Sequence, residues 1–486
     1  MSFAPRNLLV ILSDEHSPKA LCCAGHPFVH TPNLDALAAR GTRFAAAYTL
    51  SPICVPARAA LATGLPLHRM GRHFDNADPY DGALRSWHHM LRDAGHEVVS
   101  IGKLHFRGLP GDDNGFSEER LAMHVAGSTG DVFGLVRDSA PPRKGAAKLA
   151  ASAGPGESNY TRYDRAIVAE AEAWLAARGA AGPTSRPWVL FVSLVAPHFP
   201  LTAPEGHFRR YPPEVVGLPK LHGTAPNTLH PFIAEYARTN PYGAHAPDVA
   251  TVQRMLAGYY GLVSFLDENV GRILAALEAS GLAADTRVLY TSDHGDNAGA
   301  RGLWGKSTMY EESVGVPIIL AGEDIPAGRV AATPCSLTDV AATVLDLAGC
   351  GEPPPEGSLS LRAIAAGAAP DRSVLSEYHA TGSREAAFML RQGRWKYVRY
   401  VSYPAQLFDL EDDPEELRDR AADPAQATRV AAFNVLLRER LGATPEAVDA
   451  AAKARQAAIL ARHGGREAVL ARGDMAFTPP PDAVGP

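Results

Sequence analysis

Leu8-Leu9-Val10-Ile11-Leu12, preceded by Asn7 and followed by Ser13-Asp14, is a short unbroken apolar run that stops on a carboxylate. Such a run lacks the alternation of a half-exposed strand and reads as a strand covered on both faces, as in the middle of a parallel sheet. Three further stretches have the same character: 98–102, 188–194 and 287–292. Helical patterns separate them. Thr31-Pro32 starts one helix, with Leu34, Leu37 and Ala38 on its apolar side and Gly41 as the stop. A longer one spans about 249–280, where Leu256, Tyr260, Val263, Leu266, Val270 and Leu274 recur at three- and four-residue steps. This alternation predicts a layered α/β fold. Each of the four strands also ends on reactive groups: Asp14; Lys103 and His105; His198; Asp293 and His294. Ligands of open α/β sheets bind beyond the carboxyl ends of the strands, so the four ends are expected to build one site.

Composition narrows the partners. The net charge of -6 offers no basic surface for nucleic acid or an anionic membrane. No apolar run reaches the roughly 18–20 residues that span a bilayer. The start, MSFAPRN, leads straight into the first strand without a signal-like pattern, so a cytoplasmic location is expected. Five cysteines, an odd number with no CxxC pair, argue against a disulfide framework or a zinc ribbon.

One cysteine stands apart. Ser51-Pro52-Ile53-Cys54-Val55-Pro56-Ala57-Arg58-Ala59-Ala60-Leu61-Ala62-Thr63-Gly64 places Cys54 at the expected N-terminus of a helix, where free N–H groups and the dipole favour an anion. The stretch resembles the signature of the type I sulfatases, Cys-x-Pro-[Ser/Ala]-Arg followed by Leu-x-Thr-Gly. The resemblance implies an alkaline-phosphatase-like α/β/α sandwich with a large, mostly parallel mixed sheet. It also implies oxidation of Cys54 to Cα-formylglycine by a maturation enzyme. The hydrate of that aldehyde would attack sulfur through one hydroxyl, and the other would let sulfate leave as the aldehyde re-forms. A geminal diol needs a metal or a cation to become a good nucleophile, and Arg58, one turn along, is a candidate for part of that bias.

The stretch Thr291-Ser292-Asp293-His294-Gly295-Asp296-Asn297, with Tyr259-Tyr260-Gly261 and Leu266-Asp267 before it, is similar to the metal-binding elements of the same superfamily. By that resemblance Asp14, Asp293, His294 and an oxygen of the modified Cys54 would hold one divalent ion. Carboxylate-rich ligands favour Ca²⁺, with Mn²⁺ or Mg²⁺ as alternatives. Many arylsulfatases carry two successive aspartates where this chain has Asp14-Glu15, which leaves Glu15 either a ligand or a group facing solvent or a neighbouring cation. The Asp-His pair, Gly102-Lys103-Leu104-His105-Phe106 and Asp75-Asn76-Ala77 resemble segments of choline sulfatases, and the Asp-His form also occurs in phosphonate monoester hydrolases. The resemblance implies that Lys103, His105, His198 and Lys306 grip sulfate oxygens, with Asn76 beside them. A histidine or lysine would protonate the leaving oxygen. Glu377, Tyr378 and His379 are weaker candidates for touching the organic half of the substrate.

Residues 1–368 are expected to form the catalytic α/β domain and 369–486 a smaller α+β subdomain. Ser373–Tyr378, Ala387–Leu390 and Trp395–Tyr400 read as antiparallel strands, followed by helices from Pro414 and from Thr444-Pro445. The Gly-, Ala-, Pro- and Ser-rich segment 136–158 reads as a surface loop. Beyond Gly473 the prolines force an extended tail, and Met475 and Phe477 need a groove on this subunit or a neighbour's. A homo-oligomer, dimer or tetramer, with residues 473–482 at a subunit boundary is therefore expected. The function expected overall is hydrolysis of an aryl or small alkyl sulfate monoester. The alternative is hydrolysis of a phosphonate monoester or phosphodiester at the same site.

Overall fold

The computed structural model describes residues 4–224, 229–473 and 478–481. Met475 and Phe477 lie outside the described residues. The central strand β1 (Asn7–Asp14) shows why an unbroken apolar run was needed. Leu8, Val10 and Leu12 point into a core shared with the helix α2 (Cys54–Thr63) and with Val340 and Val344. Leu9 and Ile11 point the other way, against Leu34, Leu37, Ile167, Leu266 and Val270. Both faces of the strand are thus buried, and the pleat divides one apolar run between two cores.

Seven further strands complete this sheet: β2 (Gly41–Phe44), β3 (Val98–Lys103), β4 (Glu118–Met123), β5 (Val189–Pro197), β6 (Thr286–Ser292), β7 (Ile318–Ala321) and β8 (Arg329–Ala331). The order is β8-β2-β7-β6-β1-β5-β3-β4. β7 runs antiparallel to both of its neighbours, and every other pairing is parallel. The result is a mixed, mostly parallel sheet with helices on both faces. The carboxyl ends of β1, β3, β5 and β6, adjacent in the sheet, open on the same edge. A separate antiparallel sheet is built from β9 (Ser373–Tyr378), β10 (Ala387–Gln392), β11 (Trp395–Tyr400) and β12 (Gln406–Asp409). Among the described residues, no helix is long and apolar enough to cross a membrane.

Three local expectations need correction. Thr31 does precede the helix Pro32–Ala39, but its hydroxyl is occupied, accepting from Cys22 N and donating to Asp35. The free N–H groups of Asn33 and Leu34 are taken instead by the carboxylate of Asp267, at 3.1 and 2.8 Å. Asp267 is therefore a cap from the long helix Val249–Ala279, not part of a metal site. No helix starts at Pro414. Asp413 accepts from Leu417 N and Arg418 N, and Glu416 takes a left-handed φ of 52°, so the chain turns and the next α-helix begins at Ala427. Within 136–158, residues Ala146–Ser152 form a helix that buries Leu149 and Ala150, while Val136 and Ala140 are buried ahead of it. The rest of the segment is largely irregular and partly exposed, as a surface loop would be.

Two glycines are dictated by the backbone. Gly64 ends α2 with a φ of 68°, and a Cβ there would lie 2.3 Å from Pro355 Cγ. Gly102, with a φ of 105°, approaches β5 so closely that a Cβ would meet Ser193 O at 2.3 Å. That close approach sets where Lys103 leaves the sheet.

Candidate active site

Cys54 is the first residue of α2 and is only 2% exposed. Its Sγ lies 3.7 Å from Asp14 Oδ1, 3.2 Å from His294 Nε2 and 3.1 Å from Lys306 Nζ. Strand ends β1 and β6 and the loop after β6 thus converge on a helix start. The helix contributes fewer N–H groups than its position suggests. Val55 N–H donates to Asn76 Oδ1 at 3.1 Å, and Pro56 has none. The hold on an anion therefore falls chiefly on side chains. Burial, then Asp14, pushes the Cys54 thiol up, so the unmodified sulfur is not a ready thiolate.

Arg58 is anchored by carboxylates. It makes no hydrogen bond to Cys54. Its Nε donates to Asp293 Oδ2 at 2.8 Å and its Nη2 to Asp14 Oδ2 at 3.0 Å, while Nη1 reaches Lys103 O and Ser193 Oγ. One buried guanidinium so clamps two strand-end carboxylates by one oxygen each. Lys103 Nζ also contacts Asp14 Oδ2. Burial alone would raise the Asp14 carboxyl; Lys103, His198, Arg58 and Lys306 hold it well below the usual range.

The other oxygens face a shared space. Asp14 Oδ1 and Asp293 Oδ1 lie 3.9 and 3.6 Å from His294 Nε2. His294 Nδ1 sits 3.0 Å from the Gly295 carbonyl, which assigns the ring proton to Nδ1 and leaves the Nε2 lone pair pointing at the carboxylates. Asp14, Cys54, Asp293 and His294 bring four buried ligand atoms within 4.8 Å of one another. Two ionised oxygens and one imidazole nitrogen fit a hard or borderline divalent cation.

Glu15 faces a cation, as one of the alternatives had it, and not solvent. It is fully buried with a φ of 68°, and its Oε2 lies 3.2 Å from Lys306 Nζ and 3.4 Å from His198 Nε2. Burial raises its carboxyl well above the ordinary value, against the pull of Lys306. The turn is pinned by Tyr259, whose hydroxyl donates to Glu15 O and accepts from Ser17 N. Asp14, Glu15 and His198 form a second close trio of ligand atoms.

A pocket of about 170 Å³ opens above Cys54, lined by Asn76, Lys103, His105, His198 and Lys306 among others. Burial works against the charge of Lys306, but Cys54, Glu15 and Asp14 keep it strongly cationic. His105 and His198 are held well below their ordinary value, by burial first and then by Lys103 and Lys306 respectively. Both ring nitrogens of His105 are buried without a hydrogen-bond partner among the described residues. His198 Nδ1 sits 2.6 Å from Phe199 O.

The outer wall was not foreseen. Asp131, Arg143, Tyr160, Asn240, Tyr242 and Thr381 line it. Arg143 Nη2 bridges Asp131 Oδ2 at 2.6 Å and Thr381 Oγ1 at 2.8 Å. Glu377, Tyr378 and His379 do not line the pocket. Glu377 is buried between His68 Nδ1 at 2.7 Å and His379 Nε2 at 3.2 Å, and Tyr378 donates to Thr381 O. They support the wall from behind. The tail residue Thr478 lines the same chain's pocket, with its carbonyl accepting from Tyr160 OH at 2.7 Å. In the single chain, the described tail thus caps its own subunit.

This arrangement has relatives. Residues 6–350 match the family model "Sulfatase", and residues 299–442 match the model for the C-terminal part of N-sulphoglucosamine sulphohydrolase. A choline-sulfatase of Rhizobium meliloti (strain 1021) is 34% identical over 437 residues, covering 87% of this chain and 84% of that protein. Arylsulfatase K of Bos taurus is 29% identical over 450 residues, covering 87% and 79%. Among solved structures, a phosphonate monoester hydrolase from Silicibacter pomeroyi superimposes with a TM-score of 0.69 at 25% identity, covering 90% of this chain and 96% of that one. The chain belongs to the sulfatase family and is a sulfatase, a hydrolase of sulfate esters.

Proposed function

We propose that the enzyme cleaves an aryl or small alkyl sulfate monoester, with Cys54 converted to Cα-formylglycine as its nucleophile and one divalent ion, Ca²⁺ first and Mn²⁺ or Mg²⁺ next, beside it. The observation that carries this reading is the convergence on one buried Sγ of Asp14, His294 and Lys306. Asp14, Asp293, His294 and the modified Cys54 would hold the ion, which supplies positive charge to the nucleophile and to the sulfate oxygens. Arg58 fixes the two carboxylates so that their free oxygens keep one geometry. Lys306 and Lys103, with the imidazoles of His105 and His198, bind and orient sulfate oxygens, and Asn76 holds the start of α2. The leaving oxygen takes its proton from a histidine or lysine of this group.

The alternative substrate, a phosphonate monoester or phosphodiester, is supported by the Asp293-His294 pair and by the likeness to a phosphonate monoester hydrolase. Initial rates on matched aryl sulfate, phosphonate and phosphodiester substrates decide between them. The sulfate is expected to give the highest kcat/KM, and a faster phosphonate or diester reverses the assignment.

The same reading includes a maturation enzyme that oxidises Cys54 and a cytoplasmic location, the latter supported by five free cysteines. It also includes a homo-oligomer, dimer or tetramer. Thr478, which meets the pocket of its own subunit through Tyr160, can meet a neighbour's by exchange of the same contact. Deleting residues 473–486 is expected to lower the particle mass by light scattering. An unchanged oligomer, or a wild-type monomer, removes the proposal.

A further inference from the structure

The helix Pro445–Arg462 lies far along the chain from Cys54, yet two neighbouring residues on it hold a segment that reaches the pocket. Arg455 pairs with Asp78 at two points, Nε to Oδ2 at 2.9 Å and Nη2 to Oδ1 at 2.8 Å. Gln456 is 2% exposed. Its Nε2 donates to Asp75 Oδ2 at 3.1 Å and to His379 O at 2.5 Å, and its Oε1 accepts from Arg137 Nη1 at 3.3 Å. Both polar atoms of this amide are therefore engaged, and among the described residues no other side chain donates to Asp75. The second oxygen of Asp75 accepts from Ala77 N–H at 2.8 Å, so the carboxylate closes a turn around Asn76. Ile459, three residues further along the helix, packs with Ala77, Val132 and Phe133.

Asn76, inside that turn, serves the nucleophile's helix and the pocket wall together. Its Oδ1 accepts from Val55 N–H, next to Cys54, its main-chain carbonyl accepts from Asp131 N–H at 3.1 Å, and it lines the pocket. Its Nδ2 makes no hydrogen bond among the described residues, which leaves it as the donor this residue can offer a substrate. Residues 71–80 form no helix or strand, so nothing in the backbone ladder fixes Asn76. Its place depends on the side chains that grip the turn. We propose that Gln456 is a positioning residue for sulfate ester hydrolysis: by holding Asp75 it sets Asn76 against the start of α2 and in the pocket wall. Gln456 itself does not line the pocket, so it acts through the turn alone. The inference rests on the pocket over Cys54 being the active site.

The test is a double-mutant cycle on the full chain, read as kcat/KM on an aryl sulfate. Gln456→Met is expected to lower kcat/KM about tenfold, the effect of a small misplacement in the site, but by less than about twofold when Asn76 is already alanine. Asp75→Asn cuts the same bond from the other side without touching the helix. It offers one oxygen in place of two and so gives up either Ala77 or Gln456. It should reproduce the loss, and it answers the question if Gln456→Met does not fold. Losses that multiply equally in both backgrounds, or a lower unfolding midpoint with unchanged kcat/KM, are the marks of a merely structural residue and overturn the proposal. Wild-type kcat/KM in Asp75→Asn overturns it as well. Cys54→Ala, assayed beside these variants, keeps the two readings apart. An active Cys54→Ala enzyme removes the site and the inference together, whereas equal losses in both backgrounds remove only the role of Gln456.

Discussion

Cys54→Ala is expected to lower turnover by roughly 10⁴–10⁶-fold, the scale seen when a hydrolase loses its nucleophile. Folding should be unchanged. The side chain is small, it sits at a helix start and not in one of the apolar cores, and its removal leaves no buried ion unpaired. Lys306, Lys103, His105 and His198 would still line the pocket, so substrate binding should survive while kcat collapses. A KM within a few-fold of wild type beside that loss separates a missing nucleophile from a distorted site. Mass spectrometry of the wild-type tryptic peptide that contains Cys54 should show formylglycine when a maturation enzyme is present. Full activity in the alanine variant would end the proposal.

Asp293→Ala should be broader in its damage. It removes a proposed ligand and also one of the two carboxylates that Arg58 clamps. Elemental analysis is expected to find the divalent ion in active wild type and not in the variant, with kcat/KM reduced by several orders of magnitude. Because Arg58 is buried and would keep only Asp14, the variant should also lose about 3–5 kcal/mol of stability, measurable by denaturant unfolding. Asp293→Asn separates the two effects, since it keeps the shape and a hydrogen-bond acceptor for Arg58. Fully active wild-type enzyme free of any divalent ion would contradict the metal assignment.

The parts of the site that were legible in the sequence lie where local pattern and tertiary position coincide. Asp14, Lys103, His198 and Asp293 each end a strand buried on both faces, and such strands announce themselves as unbroken apolar runs. Parallel neighbours must then bring those ends to one edge. Arg143, Asp131, Asn240 and Tyr242 had no such signal, because they come from short turns and loops whose sequence carries no period. The partners of Asp267 were hidden for a related reason. A carboxylate on a long helix has the same local pattern whether it caps a distant helix or binds an ion, and only the fold shows that Asn33 and Leu34 are its partners. Edge strands such as Arg329–Ala331 were equally silent, being three residues long and partly exposed.

The burial of Cys54 at 2% exposure has a consequence in time as well as in space. A modifying enzyme must grip the peptide around its target, yet here Val55, Pro56 and Ala57 are buried like the cysteine itself. On the proposed reading, oxidation has to be finished while the first sixty or so residues are still an open chain. Newly made protein then faces a race. Chains that close before they are modified are trapped as stable, well-packed and inert molecules, and an enzyme that must grip the surrounding peptide can no longer engage it without unfolding them. The yield of active enzyme from any host would be set by the ratio of those two rates, so slowing synthesis or lowering temperature would raise specific activity without altering a single contact in the native state.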